Sequence, residues 1–168
     1  MIENLTLRGC IEFAVATEEL GAKVYEKLAQ QFSHTKDISE IFSQLAADEL
    51  VHKDQFSNLL KQSFEEKNIG ETTENQEYLR AMSLSGFFSR NQSPFQKIEQ
   101  VQDRDDALKL ALDFEKATLG FYKAVEDVLG KHEVLSQVIE TERSHVIVLM
   151  KALLVEGSKF RSLQDRWP

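Results

Sequence analysis

One pattern of residues occurs twice in this chain. Glu18 is followed seven residues later by Tyr25 and then by Glu49-Leu50-Val51-His52; Glu115 is followed seven residues later by Tyr122 and then by Glu142-Arg143-Ser144-His145. The Glu and Tyr pair recurs at an offset of 97 residues and the Glu-x-x-His unit at an offset of 93. A single Glu-x-x-His arises easily by chance in a chain this rich in glutamate. Two of them, each preceded by a Glu on a helical repeat, make up the four-Glu, two-His set that four helices can project inward around a pair of metal ions.

The surroundings of the pattern read as helix. Proline stands only at 94 and 168, and there are seven glycines in 168 residues, so little interrupts helix formation. A first helix is predicted from about Thr6 to Phe32, with Leu7, Ile11, Ala14, Glu18, Ala22, Tyr25, Leu28 and Phe32 at spacings of three and four. His34-Thr35-Lys36-Asp37 makes the turn, and a second helix carries Ile38, Ile41, Leu45, Glu49, His52, Phe56, Leu59 and Ser63 on one face. The acidic stretch Asp103-Arg104-Asp105-Asp106 opens a third, with Leu108, Ala111, Glu115, Thr118, Tyr122, Val125 and Leu129. Gly130 is placed to end it, and a fourth follows with Leu135, Val138, Glu142, His145, Leu149 and Ala152.

In each helix one central acid interrupts an otherwise apolar seam. The same steps taken from Glu19 meet Arg8, Glu12, Val15 and Glu26, and from Glu140 they meet Glu133, Gln137 and Ser144, which are solvated faces. Burying four unpaired carboxylates is prohibitive against the small net stability of a domain this size. Two divalent cations would balance four carboxylates and two neutral imidazoles. A basic side chain could do the same, but the only one beside the set is Arg143, one step off the seam. Glu and His of one unit lie close enough on a helix face to reach one centre, and the distances from each turn put the acids of each hairpin at nearly one level. Asp48 is off phase and Glu77 lies in the connection, so neither joins the ligand set; His34 and His132 fall in the interhelical turns.

Residues 66 to about 104 join the two hairpins and are too many for an ordinary turn. Their length suits a connection running the full height of the bundle. Within it Asn75 to Ser83 reads as a short helix, and Gly86-Phe87-Phe88 and Pro94-Phe95 as apolar anchors. The expected organisation is one domain over 1–156 and a C-terminal tail over 157–168.

Charge and composition exclude several classes of partner. The net charge is −8 with a pI near 5.1, and basic residues never cluster beyond a pair, so neither nucleic acid nor an anionic membrane surface is expected. The start, Met1-Ile2-Glu3-Asn4, has no basic or apolar leader, and no run approaches the ~20 apolar residues of a membrane span. A cytoplasmic protein acting on something small is the expectation. Cys10 is the single cysteine, expected as a small buried hydrophobe, and there is no CxxC pair for a second metal.

The two halves together, Glu18-x6-Tyr25 and Glu115-x6-Tyr122 each followed by Glu-x-x-His, resemble the ferritin-like superfamily of di-iron carboxylate proteins, nearest its rubrerythrin-related branch. The resemblance covers residues 5 to 155. It implies an all-α, ferritin-like four-helix bundle with a long crossover between the second and third long helices, and two iron ions as cofactor. By that analogy Glu18 and His52 hold one iron, Glu115 and His145 the other, and Glu49 and Glu142 bridge them. Tyr25 and Tyr122 would orient ligand carboxylates; from packing alone either is an ordinary core residue. Rubrerythrins carry a further glutamate three residues after the third-helix ligand, where this chain has Thr118, so their peroxide-linked rearrangement is not carried over. Four rubredoxin-type cysteines and the haem-binding methionine of bacterioferritins are also missing from this sequence.

The function implied is a di-iron peroxidase or oxidase that reduces hydrogen peroxide or O2 with electrons from an external donor, in the setting of oxidative stress. The alternative is a ferroxidase or iron-storage protein of the bacterioferritin type. Mn or Zn could also accept these ligands. A homodimer is the expected assembly, with Phe87 and Phe88 favouring a dimer contact. A metal-poor interaction module docking through Phe160 and Trp167 of the tail is a third reading, ranked below the simple folding of that tail onto a bundle.

Overall fold

The computed structural model describes residues 7–61, 73–82 and 94–156. Among these the chain forms six helices and no strand: α1 Leu7–Gln31, α2 Lys36–Lys61, α3 Thr73–Met82, α4 Pro94–Glu99, α5 Arg104–Leu129 and α6 Glu133–Glu156. The four long helices are the four expected, within two residues at the ends that can be compared. α1 packs on α2 and α5 on α6 as two hairpins, with α1 touching α5 and α2 touching α6.

The apolar core comes in two parts, and these fix the direction of each helix. One part takes Val24 to Phe32 from α1, Ile38 to Ala46 from α2, Ala107 to Phe114 from α5 and Leu149 from α6. The other takes Cys10 to Ala14 from α1, Phe56 and Leu59 from α2, Phe121 to Val125 from α5 and Leu135 to Ile139 from α6. α2 and α5 therefore both run from the first part to the second. The chain between them must return the whole height of the bundle, which is the ferritin-like connection and not that of an up-down-up-down bundle.

Local chemistry sets the helix ends that frame this core. Asp103 has an extended backbone and its carboxylate accepts from the Asp106 N–H at 2.9 Å, capping α5, while Asp105 and Asp106 complement the helix dipole in the first turn. At the far end Gly130 adopts φ 82° and donates its N–H to the Glu126 carbonyl at 2.8 Å; a side chain there would strain the backbone. Arg104 reaches across to the Ala152 carbonyl at 2.7 Å and ties the start of α5 to the end of α6.

The connection contributes two helices. The first, α3, packs on α5 through the buried Leu79 and through Tyr78, whose hydroxyl donates to Asp127 at 3.3 Å. The second, α4, opens on Pro94, a residue suited to the first helical position. It was expected only as an apolar anchor; the structure makes it a helix that buries Ile98, while Gln31 of α1 donates to the Val101 carbonyl at 3.1 Å. Cys10 is buried as expected, and burial pushes its thiol up to about 12. Thr6, Ser63, the anchor at Gly86-Phe87-Phe88 and the tail 157–168 lie outside the described residues. No helix among the described residues is long and apolar enough to cross a membrane.

Candidate metal centre

Between the two apolar parts lies a polar layer, one level deep, to which each long helix contributes. Glu18, Glu115 and Glu142 expose 0 % of their surface and Glu49 1 %, and His52 and His145 are buried beside them. The neighbouring acids Glu19 and Glu140 stay near the surface, paired with Lys23 at 2.6 Å and Arg143 at 2.6 Å. Arg143 is therefore turned outward, and the cation that could have neutralised the buried acids is spent on an exposed ion pair.

The layer divides into two overlapping groups. Glu18, Glu49, His52 and Glu142 each offer an atom within 4.8 Å of the others, and so do Glu49, Glu115, Glu142 and His145. Glu49 and Glu142 belong to both. His52 Nδ1 stands 3.3 Å from Glu18 and 3.1 Å from Glu142, and His145 Nδ1 stands 3.3 Å from Glu115 and 3.6 Å from Glu49. The two imidazole rings lie 5.7 Å apart between centroids.

The tyrosines act across the hairpins and not within them. Tyr25 of α1 donates its hydroxyl to Glu115 of α5, and Tyr122 of α5 donates to Glu18 of α1. Each ring is packed in its own apolar part, Tyr25 on Phe42 and Phe114 and Tyr122 on Phe56 and Phe121, so the hydroxyl is aimed by close-packed aromatic neighbours.

Two contacts lay outside the predicted set. Asp48, 30 % exposed at its side chain, accepts from or pairs with His145 Nε2 at 3.2 Å, on the ring nitrogen that faces away from the layer. Its signal in the sequence is its place immediately before the Glu of a Glu-x-x-His unit, from which it reaches the histidine of the other hairpin. Thr118 places Oγ1 2.9 Å from Glu142 Oε2. His34, His132 and Glu77 are exposed and take no part.

Without a cation these six groups cannot all hold their ordinary charges. Burial raises Glu49 and Glu142 well above the usual carboxylate range, and the charges of Glu18 on the first and Glu115 on the second add to it. Burial likewise lifts Glu115, to about 7, although the Glu142 carboxyl and the Tyr25 hydroxyl pull the other way. For Glu18 burial is outweighed by Glu49 and His52, and its value is lowered. His52 rises to about 10 because Glu142 and Glu18 overcome the effect of burial. Burial and the charges of Glu115 and Glu18 hold the Tyr25 and Tyr122 hydroxyls protonated, as donors.

The donor set fits metal ions. Glu18 Oε2, both Glu49 oxygens, Glu142 Oε1 and His52 Nδ1 are buried and make no well-formed hydrogen bond among the described residues, a concentration of unsatisfied groups that native interiors do not carry without a reason. Carboxylate oxygens and imidazole nitrogens are ligands for Fe, Mn and Zn.

A family model described as Rubrerythrin matches residues 10–153. The chain belongs to the rubrerythrin family. No curated protein and no solved structure matches it. The rubrerythrin match takes in α2 and α5 whole, most of α1 and α6 and every residue of the polar layer, and it agrees with the ferritin-like topology read from the two-part core. Rubrerythrin membership and the buried carboxylate and histidine cluster together are consistent with a di-iron protein; in general terms the family implies an oxidant substrate and a redox partner.

Proposed function

We propose that the chain is a di-iron redox protein that reduces hydrogen peroxide or O2 with electrons from an external donor. The observation that carries this reading is the overlap of two four-residue groups on Glu49 and Glu142, in a layer where Glu18 Oε2, Glu142 Oε1 and both Glu49 oxygens make no well-formed hydrogen bond among the described residues. Glu18 and His52 would hold one ion, Glu115 and His145 the other, and the two shared glutamates both. Two ferrous ions so held would supply together the two electrons that, with two protons, convert hydrogen peroxide to two waters, so that no radical product is released.

The chain's own residues prepare that chemistry. Tyr122 and Tyr25 fix one oxygen of Glu18 and of Glu115; the other oxygen of each, Glu18 Oε2 beside His52 and Glu115 Oε2 beside His145, would be the one to take an ion. Asp48 holds His145 so that Nδ1 faces the layer. Phe42 and Phe114 on one side and Phe56 and Phe121 on the other keep the layer between apolar walls. The test is reoxidation of anaerobically iron-loaded protein, followed optically: a ferric band forming faster with peroxide than with air is the expected result. Iron-loaded protein that does not respond to peroxide would end the peroxidase reading. Rapid oxidation of added Fe2+ by air in a large closed assembly would instead support the ferroxidase and storage alternative.

A further inference from the structure

Three of the four buried carboxylates are held by a hydroxyl group, and one is not. Tyr122 holds Glu18, Tyr25 holds Glu115 and Thr118 holds Glu142. Among the described residues no hydroxyl, amide or imidazole hydrogen-bonds either oxygen of Glu49, whose polar neighbour is the Glu18 carboxyl, although it is as deeply buried as the others. His145 Nδ1, 3.6 Å from its Oε1, is beyond hydrogen-bonding range.

The internal repeat shows where the difference arises. Thr118 stands three residues after Glu115, and its counterpart at the same offset of 97, three residues after Glu18, is Gly21. Thr118 Oγ1 lies 2.9 Å from Glu142 Oε2 and 2.9 Å from the Glu115 carbonyl. Its single hydrogen goes to Oε2 when Glu142 is ionised; when Glu142 is protonated the hydroxyl accepts from it and donates to the carbonyl. Either way the contact persists. Gly21 has no group to offer, and the space its side chain would fill is already bounded by Glu49: a Cβ there would come within 3.1 Å of Glu49 Oε2 and 3.0 Å of Phe114 Cε1. The two shared carboxylates are thus related by the repeat yet differently restrained.

Resting on the di-metal reading above, we infer that Glu49 is the shared carboxylate that shifts to open a coordination position for a small exogenous ligand, while Thr118 holds Glu142 as the fixed bridge. With two ions bound, Glu49 could leave one and remain on the other without breaking a hydrogen bond to a hydroxyl group. A comparable movement of Glu142 would forfeit its bond to Thr118. Thr118 is a positioning residue here, and Gly21 is the position whose lack of a side chain leaves Glu49 unheld.

The experiment uses the full chain loaded with Mn2+, with azide as the exogenous ligand. Crystal structures with and without azide are expected to show Glu49 changing from bridging to binding a single ion, with Glu142 unchanged. Movement of Glu142 with Glu49 fixed, or azide bound with both unmoved, overturns the assignment while leaving the di-metal reading intact; no bound metal at all overturns both. In solution, Thr118→Val is expected to weaken metal binding by about tenfold, with Thr118→Ser keeping it within about twofold of the parent. In crystals of the azide complex Thr118→Val should also show Glu142 displaced. Thermal melting of both metal-free variants establishes that they fold, and Thr118→Val binding metal as tightly as the parent would contradict the role given to Thr118.

Discussion

The α1–α2 hairpin and the α5–α6 hairpin carry the same four-residue theme and differ in its neighbours. Each supplies a Glu, a Tyr that reaches across to the other hairpin's Glu, and a Glu-x-x-His unit. Where α1 has Gly21, α5 has Thr118; where α2 has Asp48, α6 has Thr141, at the common offset of 93. Asp48 supports His145, whereas the Thr141 hydroxyl turns back to the Gln137 carbonyl of its own helix at 3.2 Å. The repeat builds the proposed ligand set, and the departures from the repeat make its two halves inequivalent: the supports at Thr118 and Asp48 fall on Glu142 and His145, both carried by α6.

The largest test of that comparison is loss of metal. Glu142→Ala is expected to abolish binding of both ions, because Glu142 belongs to both groups, whereas Glu18→Ala and Glu115→Ala should each leave about one; elemental analysis after anaerobic iron loading decides. Equal losses from all three would break the distinction between shared and unshared ligands.

Next are the crossing tyrosines, where the halves match and equal effects are expected. Tyr25→Phe and Tyr122→Phe should each weaken metal binding by about 10- to 100-fold and lower the stability of the metal-free protein by about 1.5–3 kcal/mol, measured by calorimetric titration and chemical denaturation. A large difference between them would show that the two positions diverge further than Thr118 and Asp48 imply.

The metal-free layer as a whole should respond to pH. Glu49, Glu142 and Glu115 hold protons in the fold above the pH at which they release them when unfolded, Glu115 up to about 7, and His52 holds its proton to about 10. The folded state then binds more protons than the unfolded one, so stability falls as pH rises, for Glu115 between its ordinary 4.5 and about 7 and for His52 between its ordinary 6.5 and about 10. The lowered value of Glu18 acts only below 4.5 and does not oppose this. Metal-free protein should therefore be at least about 1 kcal/mol less stable at pH 9 than at pH 6, and metal uptake near neutrality should release protons and tighten with pH. Denaturation at the two pH values and titration in weakly buffered solution check both; a stability that rises with pH would contradict the account.

The smallest effects come from the second departure from the repeat. Asp48→Asn should weaken binding by about tenfold as His145 loses its charged partner, while Thr141→Ala should change stability by no more than about 0.5 kcal/mol. Comparable effects from the two would remove the asymmetry assigned to the histidines.

The four long helices, their directions and the depth of the four acids were legible because apolar residues at spacings of three and four mark one face, and a charged residue in that face is conspicuous. Glu18, Glu49, Glu115 and Glu142 declared themselves in this way. Helix α4 did not, since six residues opened by proline carry too little periodicity to read. Asp48 was set aside because it is off phase with its own helix, whereas its contact lies on another; phase within one helix carries no information about reach between helices. The pairing of Tyr25 with Glu115 and of Tyr122 with Glu18 was hidden for the same reason. Thr118 drew notice only as the place where a glutamate was absent, and its hold on Glu142 depends on α6 packing beside it.

At the centre of the proposed function are two ions that share Glu49 and Glu142. Anaerobic titration of the metal-stripped protein with Fe2+, followed by calorimetry and confirmed by elemental analysis, tests this most directly. Two ions per chain, with binding lost in Glu142→Ala and halved in Glu18→Ala, is the predicted result; one ion or none in the parent protein, or two that survive the loss of Glu142, would contradict it.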